Sequence, residues 1–293
     1  MTVRRPVLRW HGGKWRLAPW IIQHFPPHRI YVEPFGGAAS VLLRKPRCYA
    51  EVYNDLDHEV VNLFRVLRDP ASAERLLELV RLTPFAREEF RLSYLETNEP
   101  IEAARRLLFR AAAGFGSNAH ASQASGKRST GFRANTRRAG TTPAQDWRSF
   151  PSAIEGIIER WRGVIIECRE ATEVLAQHDG PDTLHYVDPP YLPETRSPAN
   201  KYDLKYRMYK HEMDRRGHAR LLTQLRSLAG MVVLSGYPDP LYDEALRDWL
   251  RVETQAYADG ARPRLEVLWI NPQACAALER ATPQRQLFAE AAE

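Results

Sequence analysis

The sequence predicts an α/β protein, in which a doubly wound, mostly parallel sheet carries an inserted, mainly helical segment. Short apolar runs of strand length alternate with helix-like patterns over much of the 293-residue chain, as in sheets covered by helices on both faces. Two motifs suited to ligand binding directly follow such runs, where open α/β sheets place their sites. The middle of the chain differs in composition, which indicates an insertion within one sheet domain.

Apolar runs rich in Val, Ile, Leu and Tyr predict the strands. Continuous rather than alternating apolar side chains are typical of strands buried on both faces of a parallel sheet. The carboxyl ends of parallel strands meet at one edge, so motifs that follow different strands are expected to lie close together. The predicted strands are Ile30–Glu33, Cys48–Tyr53, Val164–Glu167, His185–Val187, Met231–Ser235 and Arg264–Ile270.

Apolar side chains at helical spacing predict helices between the strands and in the middle of the chain. A stretch rich in Gly, Ser, Thr, Asn and Arg then predicts an irregular loop or hairpin at Gly114–Thr142, and a polar tail is expected from Thr282. We therefore assign residues 1–67 and 151–293 to one sheet domain and residues 68–150 to an insertion. The predicted helical stretches are Ala39–Leu43, Val60–Leu67, Arg68–Phe90, Ile101–Ala113 and His218–Leu228.

Positive charge is concentrated in the insertion. The chain has 42 Lys and Arg against 36 Asp and Glu, yet no acidic residue lies between Glu102 and Asp146. The basic residues of that stretch account for the whole positive excess, which favours a polyanionic partner over a merely solvated basic face. They are Arg105, Arg106, Arg110, Lys127, Arg128, Arg133, Arg137 and Arg138.

The rest of the composition argues against a membrane protein, a disulfide-rich secreted protein and a zinc protein. No apolar run approaches the roughly 20 residues of a membrane span, and the N-terminus lacks the apolar core of a signal peptide. Three widely spaced cysteines suggest neither a disulfide framework nor a zinc site. We therefore expect no membrane association, no metal and a reducing intracellular compartment.

A glycine turn follows the first predicted strand. Residues 31–40 read Y-V-E-P-F-G-G-A-A-S, running from the strand through Gly36 and Gly37 toward a predicted helix. Such a turn lets the backbone approach a ligand closely and points helix N–H groups at it. The turn alone is equally consistent with a tight strand–helix connection. Asp55, at the end of the next strand, is placed to bond ribose hydroxyls and favours a nucleoside cofactor.

A sharper motif, Asp188-Pro189-Pro190-Tyr191, follows the apolar run that ends at Val187. Two prolines stiffen the backbone and remove N–H donors, which leaves carbonyls free to accept hydrogen bonds. A carboxylate, a fixed carbonyl and an aromatic ring together suit a planar base with an amino group. The alternative, a proline-rich turn beside a surface tyrosine, gives the glycine turn upstream no role.

In this order, the motifs resemble the Dam-like family of DNA adenine methyltransferases, in particular its phage-borne branch. Trp10–Lys14 (W-H-G-G-K) is similar to the family's W-x-G-G-K segment, and Asn54-Asp55 to its N-D motif. Ser235–Tyr237 and Glu266–Asn271 are similar to its late segments. The resemblance covers nearly the whole chain. It departs at Ala39, where the family's F-x-G-x-G turn carries glycine; because alanine is small, cofactor binding is expected to survive there.

The resemblance implies a Rossmann-like, S-adenosylmethionine-dependent methyltransferase sheet with an inserted target-recognition domain. It implies site-specific methylation of the adenine amino group in double-stranded DNA, after base flipping, by a monomer in the cytoplasm of a bacterial or phage-infected cell. It further implies catalysis by Asp188, Pro189, Pro190 and Tyr191. The residues expected to bind S-adenosylmethionine are Trp10, Lys14, Glu33, Phe35, Gly36, Gly37, Asp55 and Asp188.

For DNA contacts, the basic insertion supplies Lys127, Arg128, Arg133, Arg137 and Arg138 as candidates for groove and phosphate binding. Three other functions remain open at this point. The same pocket would suit a different amino acceptor, such as cytosine in DNA, an RNA base or a protein amide. A non-catalytic DNA-binding relative would keep the fold and lose methyl transfer. A nucleotide-dependent oxidoreductase would use the glycine turn but gives the D-P-P-Y motif no role.

Overall fold

The computed structural model describes residues 3–116, 130–137, 140–195, 211–257 and 263–290. Within these residues the strands form one seven-stranded sheet in the order β3-β2-β1-β4-β5-β7-β6. The strands are β1 Ile30–Glu33, β2 Ala50–Asn54, β3 Val164–Glu167, β4 Thr183–Val187, β5 Met231–Gly236, β6 Leu250–Tyr257 and β7 Pro263–Ile270.

Strands β1 to β5 pair in parallel, and the β6–β7 hairpin adds to the sheet edge in antiparallel orientation. The order of the parallel strands reverses direction between β1 and β4, which are neighbours in space. A crevice opens at such a point because the connections from the two strands leave in opposite directions. The predicted α/β fold with a mostly parallel sheet is confirmed.

Helices cover both faces of the sheet and fill the segment between β2 and β3. None of the helices in the described ranges is long and apolar enough to cross a membrane. The helices are α1 Ala18–Ile22, α2 His58–Arg68, α3 Pro70–Leu82, α4 Arg87–Leu92, α5 Pro100–Ala113, α6 Pro143–Arg148, α7 Phe150–Trp161, α8 Ala171–Gln177, α9 Arg215–Ser227, α10 Pro240–Ala245 and α11 Pro272–Glu290.

The structure differs from the predicted elements in three places. The helix predicted at Ala39–Leu43 is wrong, because this segment forms turns and the Leu42 N–H donates to the Glu33 carboxylate at 3.0 Å instead of to a helical carbonyl. Strand β6 was not predicted, because it has no continuous apolar run; its polar and apolar residues alternate, as is typical of a half-buried strand. The backbone of the expected polar tail from Thr282 continues α11.

The helices between β2 and β3 pack into one hydrophobic core with the sheet. Helix α5 contacts α2, and α3 contacts α7. Within this core the rings of Phe64 and Trp161 stack with their centroids 3.9 Å apart, and Trp147 Nε1 donates to the Thr83 carbonyl at 2.9 Å. The assignment of residues 68–150 as a separate target-recognition domain stays a prediction.

Part of the positive charge counted from the sequence is neutralised within the fold. Glu102 Oε2 lies 2.6 Å from Arg105 Nε, and its Oε1 lies 2.7 Å from Arg106 Nε. Arg110, which is buried, pairs with Glu59 on α2 at 2.8 Å. These three arginines are paired with carboxylates of the fold, so the charge pattern overstates the positive charge that the insertion offers to a polyanion.

A buried ionic cluster fixes the chain beyond the glycine turn. Glu51 on β2 is 2.6 Å from both Lys45 Nζ and Arg160 Nη1. Arg160 also donates to the Leu42 carbonyl at 2.6 Å. Charges this deeply buried are tolerated only when each is paired and hydrogen-bonded, and removing one partner leaves the others without compensation.

We expect Glu51→Ala to lower the free energy of unfolding by about 3 kcal/mol, because it leaves two buried cations unpaired. Urea unfolding followed by circular dichroism measures the change. Glu78→Ala is the matched control: this carboxylate also pairs with an arginine, but both side chains are exposed, and its loss should cost less than about 1 kcal/mol. Similar losses in the two variants would contradict the prediction.

Candidate active site

A cleft of about 830 Å³ opens at the carboxyl ends of the parallel strands. It is lined by the loops that follow β1, β2 and β4, by the N-terminal segment and by the start of α9. The sequence-predicted residues that line it are Trp10, Lys14, Glu33, Phe35, Gly36, Gly37, Asp55, Asp188, Pro189 and Pro190.

Both glycines of the turn after β1 are required by close contacts. A Cβ on Gly36 would lie 2.1 Å from the Tyr53 ring, and one on Gly37 would lie 2.7 Å from Trp10 Nε1. Gly37 also has a φ of +47°, which glycine adopts without strain. The Tyr53 hydroxyl donates to the Gly37 carbonyl at 2.7 Å. The turn therefore lies flat against two aromatic rings and presents bare backbone to the cleft.

Asp55, at the end of β2, holds this turn in place. One carboxylate oxygen accepts the Gly37 N–H at 2.8 Å and the other accepts the Asp57 N–H at 2.8 Å. Burial raises the pKa of Asp55 to about 6 against the effect of these bonds. Each carboxylate oxygen has a second lone pair, so Asp55 can also accept hydrogen bonds from a ligand in the cleft.

Ala39 has a left-handed backbone, with a φ of +52°. It is the one non-glycine residue with positive φ in the described parts of the chain. The Ala39 N–H donates back to the Gly36 carbonyl at 2.7 Å, which closes the preceding turn. A Cβ in this region is strained, and this strain gives a physical reason for glycine at that position in related turns.

Glu33, the last residue of β1, is a buried carboxyl on the cleft wall. Its Oε2 accepts the Tyr31 hydroxyl at 2.7 Å and the Leu42 N–H at 3.0 Å. Burial raises the pKa of Glu33 to about 8, with the nearby Asp188 carboxylate adding to the effect. Glu33 is therefore mostly protonated in the empty cleft at neutral pH, and a cation placed beside it would favour its ionised form.

Asp188 lies directly after β4 and pairs with a buried lysine. Lys14 Nζ is 3.0 Å from Asp188 Oδ1 and donates to the Gly12 carbonyl at 3.0 Å. Burial raises the pKa of Asp188, while the Lys14 ammonium opposes that rise. The resemblance predicts that Lys14 binds the cofactor; its contacts in the structure are with Asp188 and the Gly12 carbonyl, and the predicted role stays a prediction.

Tyr191 is buried, at 8% exposure, and does not line the cleft. Lys14 Nζ lies 4.5 Å from the centre of its ring, and the Tyr237 ring meets it edge-on at 4.5 Å. Its hydroxyl donates to Glu266 Oε2 at 2.8 Å and lies 3.0 Å from Ser235 Oγ. Stacking of this ring on a base stays a prediction, and it requires the Lys14 ammonium to move off the ring.

Sequence reasoning gave no role to Ser235 and Glu266, although both lie in segments that resemble the family. They are separated from Tyr191 by 44 and 75 residues, so no local pattern links them. The pairing of β5 with β7 brings them together. Their only signal in the sequence was a polar residue within an otherwise apolar predicted strand.

The predicted DNA-binding residues are only partly described by the structure. Arg133 Nη1 donates to the Ala112 carbonyl near the end of α5 at 3.0 Å, and Arg137 is exposed. Lys127, Arg128 and Arg138 lie outside the described residues.

In the described ranges no group of three or more His, Cys, Asp or Glu side chains is arranged to hold a metal ion.

Residues 10–256 match the family model of the D12 class N6 adenine-specific DNA methyltransferases. The chain belongs to this family. It is 26% identical over 268 residues to a type II methyltransferase of Lactococcus lactis subsp. cremoris, covering 84% of this chain and 85% of the relative. It is 27% identical over 201 residues to a DNA adenine methylase of Vibrio cholerae, covering 66% and 67%, and 25% identical over 201 residues to that of Escherichia coli, with the same coverage.

The chain is thus an adenine-specific DNA methyltransferase that uses S-adenosylmethionine as methyl donor. The predicted resemblance, fold class, activity and cofactor are confirmed. Among the functions left open by the sequence, methylation of the adenine amino group in DNA is the one that the family shows. The roles of the individual cleft residues in this methyltransferase remain predictions.

We expect Ala39→Gly to stabilise this methyltransferase by about 1 kcal/mol, because glycine relieves the left-handed strain. Urea unfolding measures the change. Ala38→Gly is the control, since Ala38 is equally buried without a positive φ; there glycine should destabilise by about 1 kcal/mol. Equal effects of the two substitutions would show that the backbone of Ala39 carries no strain.

The raised pKa of Glu33 predicts a pH-dependent stability. The folded carboxyl keeps its proton up to about pH 8, whereas the ordinary value is 4.5. The protonated Glu33 carboxyl therefore makes its full contribution to the free energy of unfolding below pH 4.5, and this contribution is lost as the pH rises through about 8. The side chain of Glu33→Gln cannot ionise. The free energy of unfolding of this variant, relative to wild type, should therefore rise by up to about 1.4 kcal/mol per pH unit in this window. Urea unfolding of the donor-free chain at several pH values tests this, and parallel pH profiles would contradict it.

Proposed function

We propose that this methyltransferase flips one adenine out of duplex DNA and methylates its amino nitrogen at Asp188, within a short recognition sequence. The observation that carries the proposal is the Asp188 carboxylate, held 3.0 Å from Lys14 Nζ on the wall of the cleft. The neighbouring Pro189 also lines that wall. A charged acceptor beside a carbonyl suits the two hydrogens of an amino group.

The donor fits the part of the cleft that the glycine turn and Asp55 line together. Glycine presents backbone without a side chain there, and so admits a ligand at close range. Asp55 is placed to accept ribose hydroxyls. Glu33 faces the same cleft and would ionise beside a cationic ligand. Trp10 and Phe35 supply apolar surface to the lining.

When bound, S-adenosylmethionine supplies an electrophilic methyl group attached to a positively charged sulfur. The adenine amino nitrogen is a weak nucleophile, because its lone pair is delocalised into the ring. Hydrogen bonds from its two hydrogens to the Asp188 carboxylate and the Pro189 carbonyl favour a pyramidal nitrogen with a localised lone pair. Direct attack on the methyl carbon would form the N–C bond as the C–S bond breaks, with S-adenosylhomocysteine leaving and the methylated nitrogen losing its extra proton to water. The protein thus acts through positioning and fixed electrostatics, without a covalent intermediate.

Lys14 keeps Asp188 ionised and oriented in this scheme. An unpaired ammonium group would repel the cationic sulfur of the donor. The positive charge of Lys14 is instead paired with Asp188. Removing a base from the duplex costs a few kcal/mol, and stacking on Tyr191 would offset part of that cost. Pro190 stiffens the backbone between Asp188 and Tyr191, so that carboxylate and ring keep a fixed spacing.

For duplex binding, the basic insertion at residues 127–138 supplies the groove and phosphate contacts. Arg137 of this insertion is exposed, and phosphate contacts by such residues make affinity fall steeply with salt. Action as a monomer, in the cytoplasm of a bacterial or phage-infected cell, is part of the proposal and rests on the resemblance. Incubating unmethylated genomic DNA with protein and donor, then mapping methyladenine by single-molecule sequencing, would identify the recognition sequence.

Asp188→Asn tests the proposed chemistry directly. We expect methyl transfer to fall at least about hundredfold, because the variant loses the charge aimed at the reacting amino group, while DNA binding stays close to wild type. Labelled-methyl transfer and DNA gel shifts measure the two quantities. Asp182→Asn is the control, because it changes an exposed residue just before the opposite end of β4. Substantial transfer by Asp188→Asn would refute the assignment.

A further inference from the structure

We propose that Glu266 is a positioning residue, which fixes the Tyr191 ring beside the target base by accepting a hydrogen bond from its hydroxyl. This inference rests on the proposed function, because it presumes that an adenine enters next to Asp188 and Tyr191. It assigns a task to the late β7 segment, which lies far along the chain from the D-P-P-Y motif.

The contacts around the Tyr191 hydroxyl are short and buried. The hydroxyl donates to Glu266 Oε2 at 2.8 Å and lies 3.0 Å from Ser235 Oγ. Glu266 is 7% exposed and Ser235 is 1% exposed. A buried carboxylate is costly unless it is hydrogen-bonded or paired, so a glutamate retained here needs a partner. The Tyr191 hydroxyl is that partner, and Lys14 adds a favourable charge nearby.

The antiparallel hairpin explains how Glu266 reaches this place. Strand β7 pairs with β5 so that Leu268 lies opposite Ser235 and Val267 opposite Gly236. Glu266 therefore lies just beyond the end of β5, beside the loop that follows β4. If β7 ran parallel to β5, the carboxyl end of β7 would lie beside the loop that follows β4, and Glu266 would not. The orientation of this added strand thus supplies an anchor that the parallel strands lack.

Two groups hold the ring, one over its face and one at its hydroxyl. Lys14 Nζ lies 4.5 Å from the ring centre and 3.0 Å from Asp188 Oδ1, so one ammonium group joins the ring and the carboxylate. Glu266 accepts the hydrogen bond of the hydroxyl. With the hydroxyl anchored, the ring keeps its plane when a base displaces the ammonium from its face. A base stacked on the ring takes up a plane parallel to it. Fixing the Tyr191 hydroxyl therefore also fixes the distance from the amino nitrogen of the base to Asp188.

The test combines two truncations that remove the same hydrogen bond. Tyr191→Phe deletes the hydroxyl and keeps the ring, whereas Glu266→Ala deletes the acceptor. Each alone should slow methyl transfer at least about tenfold in single-turnover assays with saturating DNA and donor. The double variant should be no slower than the slower single variant, because both changes break one interaction. Donor affinity, measured by calorimetry, should stay within about twofold of wild type.

Conservative and control variants separate positioning from general structural damage. Glu266→Gln keeps an oxygen acceptor and should recover the rate to within about threefold of wild type. Glu253→Ala removes a partly exposed carboxylate from β6 of the same hairpin and should leave the rate unchanged. Duplexes with 2-aminopurine at the target adenine report the environment of the extruded base. Both truncations should change the fluorescence of the bound base, and Glu266→Gln should restore it.

Several outcomes would overturn the inference. Multiplicative losses in the double variant, a normal rate in Glu266→Ala, or no rescue by Glu266→Gln would each do so. If Glu266→Ala does not fold, Tyr191→Phe and Glu266→Gln still decide the matter through rate and fluorescence. A wild-type protein that methylates DNA without any rise in 2-aminopurine fluorescence would refute the proposed base extrusion, and this inference with it. A normal wild-type rise with unaltered Glu266 variants would refute the inference alone.

Discussion

The ion pair between Lys14 and Asp188 is the interaction on which the site depends. It joins the N-terminal segment to the end of β4 across 3.0 Å, in surroundings where neither charge is well solvated. Without this partner the pKa of the buried Asp188 would be higher still, and protonation would weaken it as an acceptor for the amino hydrogen of the base. The same ammonium group packs over the Tyr191 ring. One lysine thereby sets the charge of Asp188 and occupies a face of the ring proposed to receive the base.

The glycine turn shows how closely backbone shape and ligand binding are linked in this fold. Gly36 and Gly37 are held against Tyr53 and Trp10, and Asp55 fastens the turn through a backbone N–H. Ala39 then adopts a left-handed backbone in spite of its Cβ. Strain is commonly stored at functional sites, where the surrounding contacts over-determine the conformation. Here the Glu33 carboxyl, which holds the Leu42 N–H, is one of those contacts.

The predictions from sequence succeeded where the signal was local. The strand at Met231–Ser235 is continuous and apolar, and it is observed as Met231–Gly236. Asp188 could be placed because an apolar run immediately precedes it. Edge strand β6 has no continuous apolar run; its signal is the alternation of polar and apolar residues that is typical of a half-buried strand, and the prediction missed it. The wrong helix at Ala39–Leu43 has a clear cause, because a distant carboxyl takes the N–H that a helix would use.

The sequence by itself determined the fold class, the cofactor turn and the D-P-P-Y motif, because each is encoded by residues adjacent in the chain. The tertiary structure alone decided that Arg110 pairs with Glu59, that Lys14 pairs with Asp188, and that Glu266 accepts the hydrogen bond of the Tyr191 hydroxyl. These contacts join residues from 51 to 174 positions apart, through helix packing, the N-terminal segment and the β5–β7 register. Electrostatic pairing depends on distance in space and on burial, and a charge pattern along the chain specifies neither.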